Sequence, residues 1–248
     1  MTEASLKYSP KDANLLVDRG LLALRKGHAS EAIASWEQAI VVDPPHALAH
    51  FYLADELDHE GRPKLAAAHY DAFLQQIARQ PREKRPAPDK VIAIVIRMAD
   101  CQARASEKSE AIQSYRLAES LAAQTQQEKL ESVADVNEAA LQAQQGDVAD
   151  ALRLYQEALR LDEKTADRSG GAQDWLAYGH FLDAQGFSPR LAYACFVKAQ
   201  DLAGSSSADV SQAAASAERV LESRKLGDLA SLRRDPQPVL RAAMELRP

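Results

Sequence analysis

Small and bulky apolar residues recur along this chain at a regular spacing. Ala32, Trp36 and Ala39 return 34 residues later as Ala66, Tyr70 and Phe73. The same small, aromatic, apolar order is found again at Ala111, Tyr115, Ala118, at Ala151, Tyr155, Ala158, and at Ala192, Phe196, Ala199. A period in this range indicates an array of helical repeats, in which each unit buries its apolar face by stacking on its neighbours.

Each recurrence predicts a pair of helices. The first helix carries a small residue, which is Gly20, Ala54, Ala99, Ala139 or Gly179. Small residues let two helix backbones approach, and the ring in the second helix fills the space beside them. The glycines at 27, 61, 146 and 186 are expected to end the first helices in the left-handed conformation, whereas Ser106 stands at this place in the third pair.

The residues Trp175, Tyr178, Gly179, Leu182, Gly186, Ala192, Phe196 and Ala199 resemble a unit of the tetratricopeptide repeat family. The resemblance covers about residues 13–206. It implies an all-α fold, a right-handed superhelical solenoid of about five helix-turn-helix units plus a C-terminal capping helix. The β-branched run from Val91 to Ile96, read alone, predicts a buried strand, but the repeat context favours a helix.

The repeats suggest an organisation for the whole chain. We expect a polar segment at 1–12, a repeat domain at 13–206 and a capping helix at 207–226. The repeat units are expected at about 13–46, 47–80, 92–125, 132–165 and 172–206, with a basic, proline-rich connection at 81–89 that cannot be a continuous helix. The tail at 227–248 contains a short amphipathic stretch. It is either a docking peptide for a partner or a plug for the protein's own groove.

Composition and charge argue against two classes of partner. The net charge is −6, and the basic cluster Arg79, Arg82, Lys84, Arg85 and Lys90 has no aromatic residues between its charges, so no nucleic-acid binding is expected. The aliphatic run from Val91 to Ile96 is too short to cross a membrane. The first ten residues are polar and do not resemble a signal peptide, which predicts a cytoplasmic protein. Cys101 and Cys195 are therefore expected to be reduced and buried.

Catalytic motifs are missing from the sequence. It contains no phosphate-binding loop, no paired-cysteine metal motif and no nucleophile elbow, so we expect neither an enzyme nor a cofactor. His46 and His50 lie four residues apart and could form a metal corner with Asp55 or His59. Because six histidines are scattered along the chain, this spacing arises readily by chance, and no metal site is expected.

The family resemblance also indicates where a ligand would bind, because the first helices of its units line a concave face. The residues expected on that face are Val17, Leu21, Leu24, Phe51, Asp55, Asp58, Ile96, Asp100, Leu176, His180 and Asp183. The wall is apolar on one side and acidic on the other, which favours an apolar partner segment with a basic edge. A clamp for a terminal carboxylate is not expected, since Arg97 is the only base at a matching position.

The sequence thus predicts a non-catalytic adaptor or scaffold that binds a peptide or helix of another protein in this groove. Two alternatives stay open. A self-assembling scaffold, which would be a homo-oligomer, would show a size that depends on concentration. A regulatory subunit would co-purify with its enzyme in a fixed ratio.

Overall fold

The computed structural model describes residues 12–204, 208–224 and 229–247. Over these ranges the chain forms α-helices joined by short turns, and no β-strand is present. The helices are α1 (Ala13–Arg25), α2 (Ala29–Val42), α3 (Ala47–His59), α4 (Pro63–Arg79), α5 (Pro88–Arg104), α6 (Lys108–Thr125), α7 (Glu128–Gln145), α8 (Val148–Thr165), α9 (Arg168–Ala184), α10 (Pro189–Ala203), α11 (Ala208–Arg224), α12 (Leu229–Arg234) and α13 (Gln237–Met244). The predicted all-α repeat fold is confirmed.

The chain divides into two compact units, residues 1–114 and 115–248, and the boundary falls inside α6. We call these the N-terminal unit and the C-terminal unit. In the N-terminal unit α1 packs on α2, α3 on α4, and α4 on α5. In the C-terminal unit α7 packs on α8, α9 on α10, and α10 on α11. Each unit therefore consists of neighbouring helices that are also consecutive along the chain.

The small residues of the repeat lie where a neighbouring ring needs their space. A Cβ atom at Gly20 would lie 2.3 Å from Nε1 of Trp36, and one at Gly179 would lie 2.5 Å from Cε1 of Phe196. Trp36 is fully buried, and its indole N–H donates to the carbonyl of Val17 at 3.3 Å. The glycine and the ring thus form one packing feature in both units, as the sequence predicts.

A left-handed residue follows the first helix of each pair. The predicted glycines at 27, 61, 146 and 186 have φ angles between 72° and 89°. Ser106, in place of the third glycine, adopts a φ of 63° although it carries a side chain. Gln126 and Ala166 do the same after α6 and α8, with φ angles of 57° and 53°. The turn geometry is therefore kept even where the residue is unfavourable for it.

The β-branched run lies in helix α5, in which Ile92, Val95 and Ile96 are all buried. A helix that packs on more than one side buries more than one stripe, which explains why this run lacks helical periodicity. The connection expected at 81–89 is shorter in the structure, because Pro88 occupies the first turn of α5, a position that proline tolerates. A short 3-10 turn at Arg82–Lys84 lies within it.

The capping helix and the tail both pack on the C-terminal unit. Helix α11 spans Ala208–Arg224, within the expected 207–226, and buries Val210, Ala213, Ala214 and Leu221. The tail forms the short helices α12 and α13, which bury Leu232, Leu240 and Ala243. Helices α7 and α9 begin at Glu128 and Arg168, slightly before the unit starts expected at 132 and 172.

Candidate functional site

Helices α1, α3 and α5 carry the predicted ligand-binding residues of the N-terminal unit. We call the surface formed by Leu21, Leu24, Phe51, Asp55, Asp58, Arg97 and Arg104 the N-terminal face. Leu24 is 38% exposed and Leu21 is half-buried. The side chain of Asp12 accepts hydrogen bonds from the amides of Asn14 and Leu15, which fixes the start of α1.

Phe51 is the centre of an aromatic group on this face. Its ring centroid lies 5.4 Å from that of Tyr52, 5.4 Å from that of Phe73 and 6.5 Å from that of Tyr70. Tyr70 and Phe73 are buried, whereas Phe51 is half-buried and keeps part of its ring at the surface. A partly exposed ring held by buried rings is a rigid apolar contact, the kind of side chain that anchors a bound protein segment.

Asp55 lies one helical turn after Phe51 on α3 and forms an ion pair with Arg97. Its Oδ1 accepts from the Tyr70 hydroxyl at 2.6 Å and from the Arg97 guanidinium at 2.8 Å. The Arg97 guanidinium also lies 5.3 Å from the centroid of the Tyr70 ring. Burial, followed by the hydrogen bond to Asp55, raises the pKa of Tyr70 and keeps its hydroxyl protonated as a donor. Asp55 therefore joins α3, α4 and α5.

Asp58 repeats this arrangement one turn further along α3. Its carboxylate pairs with the Arg104 guanidinium and accepts from the Cys101 thiol at 3.3 Å. Burial, with the neighbouring Asp58, raises the pKa of Cys101 to about 12, so the thiol stays neutral and unreactive. Since arginines neutralise the two acidic positions predicted on α3, Asp55 and Asp58 do not offer free charges to a basic ligand edge.

Two predicted groove residues do not lie at a surface. Val17 is 4% exposed and Ile96 is 6% exposed, so both belong to the packed interior of the N-terminal unit. The helix register used to place them assumes one buried stripe, and α1 and α5 bury more than one. Asp100, also on α5, is half-buried.

In the C-terminal unit the predicted residues lie next to the capping helix. Leu176 is half-buried against the core of the unit, whereas His180 and Asp183 are exposed. The His180 ring lies 5.0 Å from the Phe196 ring. His180 and Asp183 line a cleft of about 80 Å³ whose opposite wall, including Ala213 and Ala217, belongs to α11. This cleft is small beside the pockets of about 300–1,000 Å³ that usually hold small-molecule ligands.

The C-terminal unit also contains buried carboxyl groups that were not predicted from the sequence. Asp135, Asp162 and Asp174 are 1%, 6% and 7% exposed. The Ser132 hydroxyl lies 2.7 Å from Asp174 and 3.1 Å from Asp162, and these two carboxyl groups also hydrogen-bond to each other. Burial, followed by the neighbouring Glu119, raises the pKa of Asp135 to about 8, and its Oδ1 has no hydrogen-bond partner. Burial also raises the pKa of Asp174 to about 8, so Asp135 and Asp174 are held largely as neutral acids.

Three histidines, His46, His50 and His69, make structural contacts. His46 accepts from the amide of Ala49 at the start of α3. His50 Nε2 lies 2.9 Å from the carbonyl of Pro44, so Nε2 carries the proton, and its Nδ1 accepts from Nδ1 of His69 at 2.9 Å. Among the residues that the structure describes, no group of three or more His, Cys, Asp or Glu side chains is placed to hold a metal ion.

Other predicted features can also be placed. Cys101 and Cys195 are free thiols and both are buried. Arg85, from the basic cluster, donates to the carbonyls of Ala78 and Gln80 at 2.7 Å and 2.8 Å and so caps the end of α4. No helix in the described ranges has the length and apolar character of a membrane span.

Arg104 was not predicted from the sequence as a residue of the N-terminal face. The signal was present, because Arg97 and Arg104 lie seven residues apart, two helical turns, and Asp55 and Asp58 lie three apart, nearly one turn. Two acidic residues in one repeat and two basic residues in the next, each set at helical spacing, predict ion pairs between the helices. Gln156 and Tyr178, which hold the tail as described below, left no comparable signal.

Comparisons with known proteins agree with the fold. Residues 17–81 match the sequence model of the family described as "Tetratricopeptide repeat". The comparison with curated proteins gives no match. The crystal structure of YrrB, described as a TPR protein with an unusual peptide-binding site, superposes with a TM-score of 0.61 at 14% identity over 88% of this chain and 97% of that chain.

Two further structures have the same fold. The apo form of RapI gives a TM-score of 0.66 at 14% identity, over 86% of this chain and 64% of that chain. MamA gives a TM-score of 0.60 at 16% identity, over 77% of this chain and 91% of that chain. At these identities the likeness concerns the fold. Residues 17–81 thus carry the sequence signature of the tetratricopeptide repeat family, and the helix pairs that follow them have the same helical repeat fold as these structures.

Proposed function

We propose that this protein is a non-catalytic adaptor that binds a segment of another protein on the N-terminal face. The observation that carries the proposal is the Phe51 ring, which three neighbouring rings hold while part of it faces outward. Leu21 and Leu24 add apolar area on α1. The peptide-binding site for which the YrrB structure is described supports this use of the fold.

The ion pairs of the face alter the partner that the sequence suggested. Asp55 and Asp58 are already paired with Arg97 and Arg104, so a basic edge on the partner would gain little from them. An apolar segment with polar, uncharged neighbours fits this surface better. Reversing the charge of Asp55 would leave Arg97 and the Tyr70 hydroxyl without their acceptor, so that substitution would test folding rather than binding.

The location of the binding site is tested first, with a photo-cross-linking residue. We would introduce it into the full chain at Leu24 on the face and, as a control, at Val41, which is 80% exposed on α2. A partner peptide that cross-links from position 24 and not from position 41 supports the proposal. Equal yields at both positions contradict it.

The anchor is tested next, with the peptide so identified. Phe51→Ala should weaken its binding by roughly 2 kcal/mol, about 30-fold, because a central aromatic contact is lost. Val41→Ala should bind like the wild type. Far-ultraviolet circular dichroism confirms that both variants keep their helices. Equal affinities for all three proteins would reject Phe51 as the anchor. The self-assembling scaffold and the regulatory subunit stay predictions that sedimentation and co-purification would test.

A further inference from the structure

The C-terminal helix α13 is seated in a groove of the C-terminal unit. Leu240 and Ala243 are 4% and 0% exposed, and Val239, Met244 and Leu246 pack partly buried against the same core. The side chains at positions 241, 242 and 245 stay exposed, so one face of α13 is apolar and the other is polar. Helix α13 thus binds the unit as an amphipathic peptide would.

Two buried polar side chains hold the end of this helix. The Tyr178 hydroxyl donates to the carbonyl of Ala243 at 2.5 Å, and the Gln156 amide donates to the carbonyls of Ala243 and Leu246 at 3.2 Å each. The last carbonyls of a helix lack hydrogen-bond donors within the helix. Tyr178 and Gln156 supply such donors at the end of α13, and these two side chains are 0% and 8% exposed. Because these contacts go to the main chain, they do not depend on the side chains of α13. Another helix that ends at this place could accept the same hydrogen bonds.

The groove is larger than the helix that occupies it. A cavity of about 370 Å³ lies beside Leu240, Arg241 and Met244, and its other walls include Trp175 and Lys198. A second cavity of about 350 Å³ shares Trp175, Glu163 and Lys198 and extends to Gly171 and Leu202. Leu202 is half-buried, so helix α13 leaves apolar surface at Leu202 uncovered, whereas Trp175 is 3% exposed and only borders the two cavities. We call the surface formed by Gln156, Trp175, Tyr178, Lys198 and Leu202 the tail groove.

We propose that the tail groove is a second protein-binding site, which α13 fills within the chain and from which an amphipathic helix of a partner protein displaces it. The partner helix carries a small residue where Ala243 lies, a leucine three residues earlier, and a bulky apolar side chain that reaches Leu202. It ends at the tail groove so that its carbonyls accept from Gln156 and Tyr178. This site belongs to the C-terminal unit and does not rest on the N-terminal face.

The extra apolar contact is what lets a partner compete with α13. A segment tethered to its own binding site acts at an effective concentration in the millimolar range, so a partner of equal intrinsic affinity would not displace it. The exposed part of Leu202 is available to a partner and not used by α13. A partner that buries it gains hydrophobic stabilisation that α13 lacks.

The test uses the full chain and a fluorescent peptide of its own residues 235–247 as the probe. Ala243→Asp introduces a charge at a fully buried position and should release α13, whereas Ala242→Asp, the matched control, changes an exposed neighbour. The Ala243→Asp protein should bind the probe at least about tenfold more tightly than the wild type or the control, because an occupied site lowers the apparent affinity. Adding Tyr178→Phe to Ala243→Asp should weaken binding again. The probe with Arg241→Phe, which places a ring beside Trp175, should bind the wild type better than the unchanged probe does.

Each other outcome overturns part of the proposal. If Ala243→Asp stays folded and binds no probe, α13 is a fixed part of the core and not an exchangeable ligand. If Tyr178→Phe leaves binding unchanged, the probe binds elsewhere. A wild-type dimer that exchanges tails, seen by sedimentation and abolished by Ala243→Asp, would make a second copy the occupant and reject a separate partner. Should Ala243→Asp unfold, Leu240→Ala provides a milder release with the same expected order of affinities.

Discussion

The two units share one way of packing helices but treat charge differently. In the N-terminal unit the carboxylates of Asp55 and Asp58 are paired with guanidinium groups from α5. In the C-terminal unit Asp135 and Asp174 are almost completely buried, and one oxygen of Asp135 has no partner at all. The repeat constrains the residues that pack, which recur in both units. The repeat does not constrain the polar residues between the helices, so these residues differ between the two units. We expect these polar residues to determine how the stability of each unit depends on pH.

The difference in charge predicts opposite pH dependences. Burial, with the neighbouring His50, lowers the pKa of His69 from 6.5 to about 4, so the folded N-terminal unit keeps this base neutral. As pH falls from 6.5 to 4, the unfolded chain binds a proton that the folded unit does not, and stability decreases. The pKa of Asp135 is raised from 3.8 to about 8, so the folded C-terminal unit keeps this acid neutral. As pH rises from 4 to 8, the unfolded chain loses a proton that the folded unit retains. The C-terminal unit therefore loses stability as pH rises, whereas the N-terminal unit loses stability as pH falls.

The two units can be followed separately. The chain has two tryptophans, Trp36 in the N-terminal unit and Trp175 in the C-terminal unit, and both are buried. Replacing either one by phenylalanine leaves a fluorescent reporter in the other unit. Urea unfolding of these two backgrounds then gives one transition for each unit, against which the substitutions below are measured.

The largest effect is expected where the units are alike. Gly20→Leu and Gly179→Leu should each destabilise their unit by about 3 kcal/mol, because even a Cβ atom at these positions overlaps Trp36 or Phe196. Urea midpoints in the matching tryptophan background measure the loss. Lys84→Ala, an exposed change in the connection, should leave both midpoints in place. A Gly179→Leu protein as stable as the wild type would show that the shared packing rule does not hold in the C-terminal unit.

The second effect is specific to the C-terminal unit. Asp135→Asn keeps the shape of the side chain and removes its charge, so it should stabilise this unit by about 2 kcal/mol at pH 8 and by close to nothing at pH 4. Unfolding of the Trp175 background at both pH values measures the difference. Glu163→Gln, an exposed change on α8, should have no effect. Destabilisation by Asp135→Asn at pH 8 would mean that the folded unit relies on the charged form.

The third effect belongs to the N-terminal unit. His69→Gln keeps a donor towards Nδ1 of His50 and cannot be protonated, so it should remove an acid-induced loss of about 1 kcal/mol between pH 6.5 and pH 4, a modest value because His69 is only partly buried. Unfolding of the Trp36 background across this range measures the slope. His59→Gln, an exposed histidine on α3, is the control. An unchanged slope in His69→Gln would assign the acid sensitivity to another group.

The fold could be predicted from the sequence because packing residues carry local information. Gly20 and Trp36 lie sixteen residues apart in one helix pair, and their volumes complement each other wherever that pair forms. The run from Val91 to Ile96 required the repeat context, since burial on several sides removes the helical stripe. Secondary structure followed from spacing in both cases.

The candidate site could be predicted only in part, because its contacts depend on how distant helices align. The helix position of Phe51 predicted a partly exposed ring on α3, and its role in binding stays a prediction. The ion pair of Asp55 with Arg97 joins α3 to α5, which are not consecutive in the chain, and the hydrogen bond from Tyr178 to Ala243 joins positions 65 residues apart. The sequence identified an amphipathic tail but left its binding place open, since an amphipathic helix fits any apolar groove of suitable width.

The smallest expected change in stability concerns one turn in each unit. Ser106 in the N-terminal unit and Ala166 in the C-terminal unit adopt left-handed backbone angles that cost a residue with a side chain about 1–2 kcal/mol, whereas glycine avoids that cost. Glycine also gains freedom in the unfolded chain, so Ser106→Gly and Ala166→Gly should each stabilise their unit by a smaller net amount, roughly 0.5–1 kcal/mol. Ala105→Gly is the matched control: its φ of −78° suits any residue, and the change should destabilise. Urea midpoints of the three variants decide the matter, because a stabilising Ser106→Gly beside a destabilising Ala105→Gly assigns the gain to the left-handed geometry alone. If both lower the midpoint, the Ser106 side chain stabilises the turn by more than its backbone strain costs, and the two units differ in their turns as well as in their charges.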